Sequence, residues 1–207
     1  MQFTTQRDQQ IMQLFKSKHI NQVTHLTIEY VSTKFDIHIE YHDYPSYCIH
    51  EEDFALIYLN QNHPIELMRW DFFHELSHFL IHYGNQRNMT SEFSRLQESQ
   101  AYWCSLYSSM PRHIFEPLML KHRCDRTLAE LFQLPLDMVQ ERIQTISRER
   151  TRQHYYTKIN NLEEKRRSKS LQPGKVYDST LSILKQLSSQ VGEENINYEV
   201  ARLLRRN

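Results

Sequence analysis

The sequence predicts an α+β fold. It is mostly helical, with a small and largely antiparallel sheet packed on one long apolar helix and a helical C-terminal region behind it. Three observations lead there. Only 3 of 207 residues are glycine, which favours helices over tight turns. After Asp36 the apolar period changes to two, the pattern of half-buried strands. From about residue 64 to 83 the chain is apolar on most faces, which marks a buried central helix.

The elements follow in order. Residues 5–17 read as a helix with Ile11, Leu14 and Phe15 on one face, and 21–35 as a second through Val23, Leu26, Ile28, Val31 and Phe35. Ile37, Ile39 and Tyr41 alternate with His38, Glu40 and His42 in a strand. Tyr47-Cys48-Ile49 and residues 54–59 give two more, with Pro45 and Glu51-Glu52-Asp53 at the turns. Residues 54–59 are the expected free edge, along which an extended peptide could pair. Pro64 suits the first position of the long helix, Glu66 complements its dipole, and Gly84 supplies a left-handed stop. Residues 85–91 form a polar connector. The next helix runs through Phe93, Leu96, Ala101, Trp103, Cys104, Leu106 and Tyr107 and ends before Pro111. Residues 112–122 continue as helix, and 125–143 read as helix, short turn, helix. Beyond Ser147 the chain is polar, 163–169 reads as a solvated helix end or linker, and Leu171-Gln172-Pro173-Gly174 is a break. Amphipathic helices near 178–190 and 195–205 close it. The organisation expected is a domain over 1–122, a helix-turn-helix-like region over 123–158 and a basic helical extension over 159–207.

The long helix carries His74-Glu75-Leu76-Ser77-His78. Histidines four apart share one helix face, the spacing at which two imidazoles grip one zinc ion. A glutamate beside the first can reach a water on that ion, which is the mechanics of a zinc hydrolase. The bland alternative is a pair of hydrogen-bonded core histidines and a salt-bridged glutamate. A catalytic zinc needs a third protein ligand and an open position. A histidine six residues after His78 is excluded, because Gly84 stands there. The other arrangement takes a glutamate from the next helix, about twenty residues on, and Glu98 lies there with small Ala101 one turn later. Glu92 is the rival. His82 shares the face of His74 and His78, but three histidines from successive turns fit a tetrahedron poorly. It is placed behind the ligands or facing substrate. Asp71 is a candidate to orient a ligand histidine. Tyr102, Tyr107, His82 and His113 are the candidates for a donor to the oxyanion of a peptide hydrolysis.

Composition narrows the class. No apolar run reaches membrane length, and Met1 to Asp8 is too polar for a signal peptide. Cys48, Cys104 and Cys124 form no Cys-x-x-Cys pair, and an odd, sparse set fits a reducing cytoplasm. Residues 141–207 carry 14 Lys or Arg against 8 Asp or Glu, and residues 1–140 carry 11 against 17. The basic tail and residues 125–143 keep open a second function class, a non-catalytic repressor- or DNA-binding regulator with a zinc site.

The stretch from Trp70 to Pro111 resembles the ImmA/IrrE family of zinc metallopeptidases. Phe73-His74-Glu75-Leu76-Ser77-His78-Phe79-Leu80-Ile81-His82 is similar to that family's His-Glu-Leu-Gly-His followed by apolar residues and a histidine. Glu98-Ser99-Gln100-Ala101, with Met110-Pro111 beyond it, is similar to the family's Glu-x-Gln/Glu-Ala helix ending in Met-Pro. Ser77 departs from the usual glycine, and Tyr102-Trp103-Cys104-Ser105 from the usual Asn-x-Phe-Ala run. The resemblance covers roughly the first two-thirds of the chain. It implies Zn2+ held by His74, His78 and Glu98, with Glu75 as general base. It also implies a bacterial, phage or mobile-element setting, a cytoplasmic location, and a helix-turn-helix transcriptional repressor as the protein cleaved.

Overall fold

A computed structural model of the protein describes residues 5–51, 54–82, 90–170 and 176–205. Contacts divide the chain into two units, 1–150 and 151–207.

In the first unit, Thr5 caps helix α1 (Gln6–Ser17) by accepting the Asp8 N–H at 3.3 Å. Its Ile11 and Phe15 enter the core. The helix expected over 21–35 is divided. A 3₁₀ turn spans Val23–Leu26, and α2 (Ile28–Phe35) starts afresh behind Thr27, whose hydroxyl accepts the Tyr30 N–H at 3.2 Å. Threonine before an apolar residue and a glutamate is a helix-start signal inside what reads as one apolar period. Asp36 takes the left-handed conformation at φ 57° and turns the chain into the sheet.

The sheet has the order β1-β3-β2, with β1 at Ile37–His42, β2 at Tyr47–Glu51 and β3 at Phe54–Asn60. It is mixed: β1 runs parallel to β3 and β2 antiparallel to it. Residues 54–59, expected at the edge, form the central strand, paired on both sides. Ala55, Ile57 and Leu59 are fully buried, and the near-continuous apolar sequence of β3 suits a strand with neighbours on either side. The free edges are β1 and β2.

Helix α3 (Ile65–Ile81) packs against this sheet, with Pro64 as its cap and His82 already extended. Gly84 and the connector expected over 85–91 lie outside the described residues, except that α4 (Ser91–Ser109) already begins at the connector's end. Thr90 caps it. Helix α5 (Arg112–His122), α6 (Asp125–Phe132) and α7 (Leu136–Ser170) follow. The turn between α6 and α7 passes through left-handed Gln133. Early α7 buries Val139, Arg142 and Ile146 in the core, and the helix continues past the linker expected near 163–169.

A buried ionic cluster ties α1, α5 and α7 together. Arg142 Nη2 lies 2.8 Å from Asp8 Oδ1, Arg112 Nε lies 2.7 Å from Glu116 Oε2, and Arg112 also pairs with Glu149. All five side chains are buried.

In the second unit the rest of α7 is accompanied by α8 (Asp178–Val191) and α9 (Tyr198–Arg205), which pack on each other. No described helix is long and apolar enough to cross a membrane.

Candidate metal centre

The site is built where α3 and α4 cross. The buried stripe of α4 is small: Ala101, Ser105, Ser108 and Ser109 are fully buried, with Cys104 nearly so. On α3 the facing residue Ser77 is fully buried and returns its hydroxyl to Phe73 O at 2.7 Å. Small side chains on both surfaces let the backbones approach closely. A longer side chain at 98 can then reach across, and Glu98 does so.

His74 Nε2 is 3.2 Å from Glu98 Oε2 and 3.2 Å from His78 Nε2, and His78 Nε2 is 3.6 Å from Glu98 Oε2. Among the described residues these three form a group able to hold a metal ion. A tetrahedral ion with bonds of about 2.0–2.1 Å separates its ligand atoms by roughly 3.3–3.5 Å. The triangle observed already has that size. Two imidazole nitrogens and a carboxylate oxygen are a donor set suited to zinc. The Glu98 side chain is 49% exposed and that of His78 6%, so the triangle has one solvent-facing side. Glu92, the rival ligand, sits in the first turn of α4 and is not in the group.

Burial first, and then the neighbouring His74 and His82, push the His78 imidazole down to about 4 against the opposing pull of Glu98. It is therefore neutral at ordinary pH, the form in which an imidazole binds a metal. His82 stands directly behind it. The two Nδ1 atoms are 3.1 Å apart, and His82 Nε2 is 3.2 Å from Gln100 Oε1. When His78 donates its Nδ1–H to His82, and His82 donates its Nε2–H to Gln100, the His78 Nε2 lone pair faces the triangle.

Glu75 is 9% exposed. Burial, and next the charges of Glu98 and Asp71, push its carboxyl up to about 8. The backbone of Cys48 in β2 lies beside it and pulls the other way. The outer edge of β2 thus faces the helix that carries the site, in the place expected for 54–59. On the same strand His50 meets the Phe79 ring edge-on, with ring centroids 6.1 Å apart.

The other candidates go elsewhere. Asp71 accepts from Ser46 Oγ at 3.0 Å and sits 2.8 Å from His63 Nδ1, so it braces the turn before α3 rather than a ligand histidine. The Tyr102 hydroxyl donates to Glu141 of α7. Tyr107 lies beneath the Arg142 guanidinium, 4.8 Å from its ring centre. His113 Nε2 is 2.8 Å from Ile20 O. Of the four oxyanion candidates, only His82 is brought to the triangle. Cys104 is buried beside Ser77 and outside the group, and burial raises its thiol pKa. No described cysteine closes the site. Gln100, Cys48 and His50 went unassigned from sequence. Gln100 stands inside the Glu98-Ser99-Gln100-Ala101 motif, and Cys48 and His50 alternate with outward Tyr47 and Ile49, so both signals were present.

The chain is 23% identical over 198 residues to the phage-like element PBSX protein XkdA of Bacillus subtilis (strain 168), a match covering 94% of this chain and 95% of that one. No solved structure matches it. Residues 32–144, which hold the whole sheet, both site helices and the triangle, match the family described as Peptidase_M78, IrrE N-terminal-like domain. That span is more than half of the chain, and the protein belongs to this family.

Proposed function

We propose that the protein is a zinc-dependent endopeptidase whose substrate is a helix-turn-helix repressor of a bacterium, phage or mobile element. The observation that carries the chemistry is the triangle of His74, His78 and Glu98 beside a buried Glu75. Those three residues hold the zinc. When bound, zinc supplies Lewis acidity, which makes water a better nucleophile and polarises the scissile carbonyl. Glu75, whose ionised form a cation held by the triangle would favour, accepts the proton of the attacking water and delivers it to the leaving amine. His82 and Gln100 hold the His78 ring in its metal-binding orientation. The substrate lies extended along the free edge of β2, its backbone pairing with the strand. Family membership and the relative from a phage-like element support the peptidase class and the mobile-element setting.

The test compares wild type with Glu75→Gln for zinc content and for cleavage of repressors encoded beside the gene. One zinc per chain in both proteins, with cleavage by wild type alone, is the expected result. Equal cleavage by Glu75→Gln refutes the assigned base. Zinc in both without cleavage of any neighbouring repressor favours the regulatory binding protein.

A further inference from the structure

The sheet has a second face. Its buried face is Ala55, Ile57 and Leu59 with their neighbours, so the alternate residues point the other way. Across the three strands those residues align in rows. Glu40, Tyr58 and Tyr47 are register partners, as are His38, Leu56 and Ile49, and Phe54 pairs with Glu51. No described helix of the first unit covers this face: Phe54 is 56% exposed, Ile49 44% and Tyr47 42%. Tyr47 stacks on Tyr58 with ring centroids 4.7 Å apart, and His42 approaches both at 5.6 and 5.4 Å. Tyr44 extends the cluster beyond His42 and is 74% exposed.

Charge says what could cover it. Between Lys34 and Arg69 the chain has no Lys or Arg, yet seven Asp or Glu. Glu40 and Glu51 stand on the exposed face itself. A nucleic acid or an anionic membrane would be repelled. A second copy docking face to face would oppose like charges. Stacked aromatic rings with the Glu40 carboxylate in their row suit a guanidinium or ammonium group, which gains from ring quadrupole and carboxylate together. Ile49, Leu56 and Phe54 offer an apolar strip beside them for the stem of an amphipathic segment.

We propose that this outer face is a docking surface for a basic, amphipathic segment of the partner protein, in which Lys or Arg side chains stack on the Tyr44–Tyr47–Tyr58 corner and apolar residues lie along Ile49–Leu56–Phe54. Calling that partner the substrate rests on the peptidase reading; the docking does not. It names the part of the substrate that is gripped. A repressor's nucleic-acid-binding surface is itself basic, and a strand whose one edge faces Glu75 while its outer side chains grip such a surface couples docking to cleavage.

The test uses the full chain carrying Glu75→Gln and a fluorescently labelled helical peptide of about 20 residues with Lys and Arg on one side and Leu on the other. Binding is read by anisotropy. The expected result is saturable binding that weakens with salt, falls at least tenfold for the same peptide with Glu replacing Lys and Arg, and falls at least tenfold in the Glu40→Lys/Glu51→Lys variant. Tyr47→Ala weakens it severalfold. Zinc content and melting temperature are read alongside, so a misfolded variant is recognised. A chain with His74→Ala should bind the peptide as the parent does, which separates docking from catalysis. Failure to bind the basic peptide, equal binding of the acidic one, or unchanged affinity in the charge-reversed variant overturns the proposal. Tighter binding of duplex DNA than of the peptide does so too.

Discussion

Two clusters of polar residues in the first unit are built on different logic. The Asp8–Arg112–Glu116–Arg142–Glu149 cluster, with Arg150 beside Glu116, gives every carboxylate an arginine partner: Asp8 pairs with Arg142, Arg112 with Glu116 and Glu149, and Arg150 with Glu116. The cluster of His74, His78 and Glu98 gathers lone pairs around one point, with one side open to solvent. A set of opposite charges paired with one another is architecture. A set whose ligand atoms converge on one point is a binding site.

The largest expected effect lies in the ion-paired cluster. Arg142→Ala removes the partner of Asp8 and the cation over Tyr107, and should cost about 3–5 kcal/mol in urea unfolding. If the cluster is only architecture, Asp8→Leu with Arg142→Met should recover much of that loss. Failure to recover would assign the cluster a role beyond holding α1 to α7.

The other cluster should respond in the opposite sense. In metal-stripped protein His78→Ala should change stability little. Zinc at about a thousandfold excess over its dissociation constant should stabilise wild type by about 4 kcal/mol and His78→Ala by almost nothing. The comparison breaks if both proteins gain equally.

Next comes the support behind the ligand. His82→Ala or Gln100→Leu should lower zinc affinity by roughly 10- to 100-fold without changing the number of ions bound. A competition titration with a coloured chelator reads it, and an unchanged affinity would reduce the His78–His82–Gln100 chain to a packing contact.

The smallest effect separates two readings of one hydroxyl. Tyr102→Phe removes the hydrogen bond to Glu141, and should cost about 1–2 kcal/mol of stability while leaving cleavage within a few-fold. A loss of about a hundredfold or more in cleavage would restore Tyr102 as an oxyanion donor.

These regions were not equally legible in the sequence. The triangle was legible because its spacing is chemical: two histidines four apart and a glutamate on the next helix name their own partner. The orientation of Tyr102, Tyr107 and His113 was not, because a side chain's partner depends on elements far along the chain, such as Glu141, Arg142 and Ile20. The ionic cluster was hidden for the same reason, since Asp8 and Arg142 stand 134 residues apart. Helix limits were largely readable from capping residues, and the strand alternation at Ile37–His42 was unambiguous. Sheet order was not. A run such as Phe54-Ala55-Leu56-Ile57-Tyr58-Leu59 tells of burial, but only the register shows that β3 is the middle strand and that β2 meets Glu75. A helix division at Thr27 was masked by an apolar period that runs through it.

The most direct measurement is zinc stoichiometry of the metal-stripped protein by titration, with X-ray absorption of the loaded sample, on wild type, Glu75→Gln and His78→Ala. One ion per chain in the first two, a first shell of nitrogen and oxygen without sulfur, and loss of that ion in His78→Ala are predicted. No binding by wild type, a sulfur ligand, or an unchanged ion in His78→Ala would contradict the assignment of His74, His78 and Glu98 as the metal centre.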